Sequence, residues 1–266
     1  MFGNYFLVGL CAGLLSGLFG VGGGLIVVPA LCWLFIHFDV MPAFSAMKVA
    51  IATSLAIMIM TLLSALMAHS RQQAVRWDFF QKMVVSIALG TVIGTVSAHF
   101  LKSWVLRRVF GVFMLITGMR LFWVRRKPTV QKTPVQVSSW ILQSVSVLTG
   151  MMAGLLGISG GVMLGPFFLR SGMTLPEAAG TSVVCGLVIG VTATLGFMMA
   201  GWWGGVSLPT AAGYIYWPAF LGVSVASMLS APLGVKLGRV LPRSLLRRLF
   251  GVVLLGVSMS MFFPVR

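Results

Sequence analysis

Carboxylates are nearly missing from this chain. Asp39, Asp78 and Glu177 are its three acids in 266 residues, and all three fall at the ends of apolar segments. None is left for the middle of a membrane-crossing segment, where cation transporters and carboxylate proton relays place one. That deficit argues against a metal cation as cargo and for an anion held by neutral donors. Charged residues of either sign make up only 8% of the sequence, too few to cover the surface of a soluble domain of this size. Cysteine is scarce too: Cys11, Cys32 and Cys185 are odd in number, lack CxxC spacing and lie in or beside apolar segments. They indicate packing rather than a disulfide framework or a metal site. The three histidines, His37, His69 and His99, sit at segment ends, which suits headgroup-level residues better than proton shuttles. No cofactor, metal or nucleic acid is expected. The opening MFGNYFLVGL lacks the basic n-region of a cleaved signal peptide, so the first apolar run is expected to stay.

Apolar sequence is what the chain has in excess: 59% of residues are hydrophobic and the mean hydropathy is +1.04. Hydrophobic runs fall at 4–36, 43–68, 79–101, 105–124, 139–169, 177–201, 209–235 and 245–264. Their length specifies an all-α polytopic membrane protein, and the short alternating segments of a β-barrel do not occur. Nineteen Lys and Arg give a net charge of +16, but they cluster between the runs as the cytoplasmic loops of membrane proteins do. The lipid bilayer is therefore the first partner, and the bacterial inner membrane the expected location.

The runs repeat. GLLSGLFGVGGGLIVVP (13–29) aligns without a gap onto GMMAGLLGISGGVMLGP (150–166), ATSL (52–55) onto GTSV (180–183), and LRRVFG (106–111) onto LRRLFG (246–251). Three matches in one order define an internal repeat. Residues 1–124 form a first transmembrane repeat and 139–266 a second, each of four hydrophobic segments. A basic linker, 125–138, joins them.

Each repeat opens with a run that breaks the rules for a spanning helix, since glycine and proline weaken the helix ladder. Residues 4–36 as one helix would be roughly 50 Å long against a hydrocarbon core of about 30 Å. A break at the glycines gives instead two arms that reach the midplane, either a re-entrant hairpin or a broken spanning helix. Loop charge separates the options. If all eight runs cross, nine Lys and Arg face ten; if the first and fifth are re-entrant, the division is fourteen against five. The second division is the positive-inside pattern, and it inverts the second repeat relative to the first. It leaves Lys102, Arg107 and Arg108 on the poor side, where snorkelling to headgroups accounts for them.

The glycine-rich motif, followed by an ATSL-type motif and repeated as GLLGISGGVMLGP and GTSV, resembles the TauE/SafE sulfite exporter family, also called the TSUP membrane permeases. The resemblance covers essentially the whole chain, with Ala52 standing where the second copy has Gly180. It implies a secondary transporter of small anions, of sulfite or other sulfur-containing organic anions, that exports its substrate with coupling to protons.

Residues at the breaks could carry that chemistry. The arm after the glycines begins near Gly24, so its first amides and the positive end of its dipole offer an anion site. Gly22, Gly23 and Gly24 with Pro29, and Gly160 and Gly161 with Pro166, let an oxyanion approach the backbone. Gly13, Gly17, Gly150 and Gly154 are better read as helix-packing positions. Thr53, Ser54, Thr181 and Ser182 supply hydroxyls that can donate without adding buried charge, or alternatively cap helices. Ser159, at the position of Gly22, is a further donor. Lys48, Arg120 and Arg170 lie near enough to segment ends to steer anions.

Two other function classes compete. GISG (157–160) matches the GxSG of rhomboid-type intramembrane serine proteases with Ser159 as nucleophile, but no histidine lies mid-membrane to serve as base. A non-transporting scaffold would gain nothing from two broken helices in hydrocarbon. The expectation is accordingly a transporter and not an enzyme.

Overall fold

The computed structural model describes residues 2–19, 23–70, 75–123, 138–204, 210–240 and 243–262. The linker 125–138, except for Ser138, lies outside them, as does Gly22. Ten α-helices occupy the described residues: α1 (Phe2–Phe19), α2 (Gly24–His37), α3 (Ala43–Ser70), α4 (Trp77–Phe100), α5 (Ser103–Trp123), α6 (Ser139–Leu156), α7 (Gly161–Arg170), α8 (Leu175–Trp203), α9 (Trp217–Val240) and α10 (Arg243–Phe262). Five of them, α3, α4, α6, α8 and α9, are long and apolar enough to cross a membrane. The protein is an all-α polytopic membrane protein.

Eight hydrophobic runs become ten helices because the first and fifth break at their glycines. The first run gives arms of 18 and 14 residues, and the fifth arms of 18 and 10. Both are hairpins. At the first, the Tyr5 ring at the start of α1 meets the Phe35 ring at the end of α2, with centroids 6.4 Å apart. At the fold-back, a methyl placed on Gly23 would lie 3.7 Å from Cβ of Ser16. The second folds back at the matching place, where a methyl on Gly160 would lie 3.2 Å from the Thr149 methyl. Two glycines turn the chain: Gly23 at φ 66° and Gly157 at φ 73° occupy the left-handed region that a side chain would strain.

The helices of the two halves interleave. α1 packs along α9, and α6 along α4; α3 packs against α8 and α5 against α10. The first two pairs are parallel and close-packed, because small residues let the backbones approach. On α1, a methyl on Gly9 would sit 2.6 Å from Cβ of Ala226, and one on Gly13 2.1 Å from the Ser230 hydroxyl. On α4 and α6, methyls on Gly90, Gly94 and Gly150 would sit 2.1–2.3 Å from the carbonyl oxygens of Val147, Met151 and Ile87. Lipid tails are as apolar as leucine, so such contact, rather than exclusion from water, holds transmembrane helices together. Gly13, Gly150 and Gly154 thus pack helices; Gly9, Gly90 and Gly94 do the same work outside the repeat motif.

The seventh run differs from the sequence reading. It begins with a two-stranded turn, Ala211–Ala212 paired with Ile215–Tyr216, before α9 starts at Trp217. Gly213, at φ 60°, lies so close to α8 that a methyl on it would meet the Met198 carbonyl oxygen at 2.5 Å.

Gly150→Ala forces a methyl into the Ile87 carbonyl and is expected to destabilise the fold by about 1–3 kcal/mol. Gly256→Ala, with nothing within 4 Å of the added methyl, is expected to leave it unchanged. Unfolding of both variants in detergent checks the pair, and equal stability would mean that α4 and α6 are not in backbone contact.

Candidate functional site

The two hairpins meet at their breaks. A methyl on Gly24 would lie 2.5 Å from the Gly157 carbonyl oxygen, 3.1 Å from Cα of Ile158 and 3.4 Å from the Ser54 hydroxyl. Ser54 donates its proton to that same Gly157 oxygen at 3.2 Å, across 103 residues of sequence. The start of α2 therefore abuts the turn after α6, with α3 bracing the junction. Helix geometry leaves the first amides of α2 and α7 without acceptors in their own helices, and neither helix has a side-chain cap. Beside the first break lies a cavity of about 10 Å³, lined by Ser16, Gly23, Gly24, Ser54, Thr61 and Ser227 among others. That is room for about one water molecule.

Thr53 and Thr181 stand one residue before the two serines and do matched work. The Thr53 hydroxyl accepts the backbone N–H of Tyr216 at 3.1 Å, and the Thr181 hydroxyl accepts that of Arg76 at 3.0 Å. Tyr216 and Arg76 are the residues immediately before α9 and α4. Each threonine thus anchors the start of the partner half's fourth helix, the capping alternative in a long-range form. Ser159 and Gly160 are buried at the second break, and Ser182 is buried on α8 one turn before Gly186. Cβ of Ser159 lies 3.9 Å from where a methyl on Gly186 of α8 would be. Gly161 is half-buried at the start of α7. The prolines separate from each other: Pro29 is buried inside α2, whereas Pro166 is exposed on α7 and is not brought to the junction.

The surroundings of the two halves differ chemically. Around Tyr216 the contacts are aromatic, with Tyr5 at 6.3 Å and Phe35 at 5.6 Å between centroids. Around Arg76 they are ionic, with Glu177 at 3.5 Å and Asp78 at 3.8 Å. Glu177 also accepts from the Thr174 backbone and hydroxyl, both at 2.8 Å, to close the capping box that starts α8. At the opposite end of α4, Lys48 donates to the His99 carbonyl, and the Tyr214 hydroxyl lies 3.4 Å from His99 Nδ1. Lys48 and His99 stand at separate segment ends in the sequence and Tyr214 carries no signal of its own, because no local spacing connects positions 48, 99 and 214. A larger cavity of about 280 Å³ opens on the other face of α2, between it and α10. Its lining is almost wholly apolar apart from Arg107 and Ser260, Arg107 donating to the Ser260 carbonyl at 3.2 Å. Such a crevice suits hydrocarbon rather than a hydrated anion.

Residues 5–261 match the family described as "Sulfite exporter TauE/SafE". The chain belongs to the TauE/SafE family. A "Probable membrane transporter protein" of Haemophilus influenzae is 32% identical over 258 residues, covering 96% of each chain. A second, from Methanocaldococcus jannaschii, is 23% identical and covers 93% of this chain and 90% of its own. A third, YunE of Bacillus subtilis, is 22% identical and covers 97% and 96%. No solved structure matches. Like its relatives, this TauE/SafE protein is a membrane transporter and not an enzyme, with a small-molecule substrate and a lipid environment. The protease alternative finds no support: Ser159 sits at the second break, while His37 stacks on Trp33 and His99 packs on Tyr214.

Thr53→Val and Thr181→Val each remove the acceptor of one backbone N–H, at an expected cost of about 1–3 kcal/mol. Hydrogen exchange distinguishes them. The Tyr216 amide should lose protection in the first variant and the Arg76 amide in the second, each leaving the other unchanged.

Proposed function

We propose that this TauE/SafE transporter moves a small anion, sulfite or an organosulfonate-like solute, by alternating access between two inverted halves in the bacterial inner membrane. The observation that carries the reading is the junction of the two hairpins, where Gly24 meets Gly157 in the protein interior. Backbone released by a helix break is tolerated at membrane depth only when it is buried in protein or lines a wet cavity. Transporters built on broken helices use such ends for anionic groups. The absence of carboxylates away from helix ends fits a cargo held by neutral donors.

The same junction supplies the link between binding and movement. In this conformation the start of α2 faces the Gly157 carbonyl, and the adjacent space holds about one water. An anion seated against the α2 amides takes the place of that carbonyl. Its arrival therefore competes with the contact that joins the halves. On this reading the segments that follow α3, α5, α7 and α9 share one side of the membrane, and their sequence carries fourteen of the nineteen Lys and Arg. By the positive-inside rule that side is the cytoplasm and both termini face outward. Proton coupling and export remain what the family resemblance implies.

Purified protein in liposomes is expected to carry sulfite down an imposed gradient. Gly24→Ala, which places a methyl 2.5 Å from the Gly157 oxygen, is expected to slow the flux at least tenfold while the variant still inserts. Wild-type liposomes that move no sulfur oxyanion under any ion gradient would overturn the reading.

A further inference from the structure

We infer that the hydroxyls of Thr149 and Ser182, at the second hairpin break, are the donor pair for the anion, and that the two breaks are unequal in this respect. The inference rests on the anion-transport reading and identifies which half supplies the side-chain donors. A hydroxyl has one proton to give. At the first break three of the four hydroxyls lining the cavity have committed protons: Ser54 donates to Gly157, Thr61 to the Met58 carbonyl at 2.9 Å, and Ser227 to the Ser224 carbonyl at 3.0 Å. These three hydroxyls therefore have no proton left to give an anion seated against the α2 amides.

The second break is the reverse. Thr149 is 0% exposed and Ser182 7% exposed, and neither side-chain oxygen has a hydrogen-bond partner. Leaving a buried hydroxyl in that state is unfavourable, so the pair marks a place where a polar ligand belongs. Thr149 borders the turn, its methyl 3.2 Å from where a Cβ on Gly160 would stand. Ser182 holds on α8 the position that Ser54 holds on α3, one turn before Gly186, which adjoins Ser159. α7, ten residues long, begins at Gly161 without a side-chain cap, so its first amides face the same turn. Two hydroxyls beside a helix N-terminus match a compact anion with several oxygens. Among the described residues, two other buried hydroxyls lack partners, Thr194 and Ser224. Thr194 lies three turns beyond Ser182 on α8 and Ser224 on α9, neither at a hairpin break.

The position was hidden in the repeat because the hydroxyls trade places. Thr149 aligns with Ala12, Ser16 with Ala153, and Ser159 with Gly22. Each half keeps a hydroxyl on its first arm, one turn displaced from that of the other half.

The test is a thermal-unfolding titration with sodium sulfite on wild type, Thr149→Val, Thr149→Ser, Ser182→Ala and, as a control, Thr194→Val. Removing an unsatisfied hydroxyl should leave the ligand-free Tm at or above that of wild type. Sulfite affinity should fall at least tenfold in Thr149→Val and Ser182→Ala, with Thr149→Ser and Thr194→Val binding as wild type does. A lower ligand-free Tm with unchanged affinity would mean that the hydroxyls hold a structural water, and would overturn the donor assignment alone. Wild type unmoved by sulfite, thiosulfate or sulfoacetate would overturn the transport reading and this inference with it.

Discussion

A helix interrupted inside a bilayer releases amides and carbonyls that lipid cannot satisfy, at several kcal/mol for each group left facing hydrocarbon. Everything else in this fold answers that constraint. The two breaks are set against each other, so that the start of α2 meets the Gly157 carbonyl and Ser54 closes the contact. Holding two hairpins tip to tip requires their arms to be fixed from the side. The glycine contacts of α1 with α9 and of α6 with α4 supply that fixing at backbone distance. The helices used for it belong to the opposite half, which is why the halves interleave. Thr53 and Thr181 then hold the starts of those same helices.

Much of this was legible in the sequence, and the reasons are physical. An apolar run too long for the bilayer with glycines in its middle has few solutions, and the charge division between loops favoured the hairpin over the continuous span. The packing role of Gly13, Gly150 and Gly154 followed from their spacing alone. What escaped was whatever depends on contacts between distant segments. Nothing near Thr53 announces that its partner is the Tyr216 amide, 163 residues away. Gly90 and Gly94 look like unremarkable small residues in a helix until α6 is laid against them. Thr149 carries no signal in the repeat, since its partner is Ala12 and an exchange of hydroxyls between positions leaves no identity to align. Pro166 was drawn in by its identity with Pro29, yet the shorter α7 leaves it exposed.

The repeat conserves geometry more closely than chemistry. Matched threonines perform the same capping task, but one end of the pair of anchors is lined by tyrosines and phenylalanine and the other by Arg76, Glu177 and Asp78. If the halves are inverted as proposed, the transporter is symmetric in its moving parts while presenting different surroundings to the two sides of the membrane. The two sides differ in what they ask of a gate: aromatic packing excludes water without charge, whereas an exposed ion pair opens at modest cost.

Unequal breaks also bear on how a cycle can be driven. If both hairpins offered the same committed hydroxyls, an anion would have to break several internal hydrogen bonds to be held in either orientation. With the donors of the second break uncommitted, the ligand-free state already carries the unfavourable energy of two unsatisfied groups, and binding relieves it. Relief at the second break and competition at the Gly24–Gly157 contact act together. On the proposed reading, the anion gains hydrogen bonds from one half as it displaces the carbonyl that half offers to the other. A ligand shifts a conformational equilibrium only by its differential affinity for the two states. Here the differential is built from the same atoms that hold the hairpins together, so on this reading occupancy and separation of the halves are one event rather than two that must be coupled at a distance.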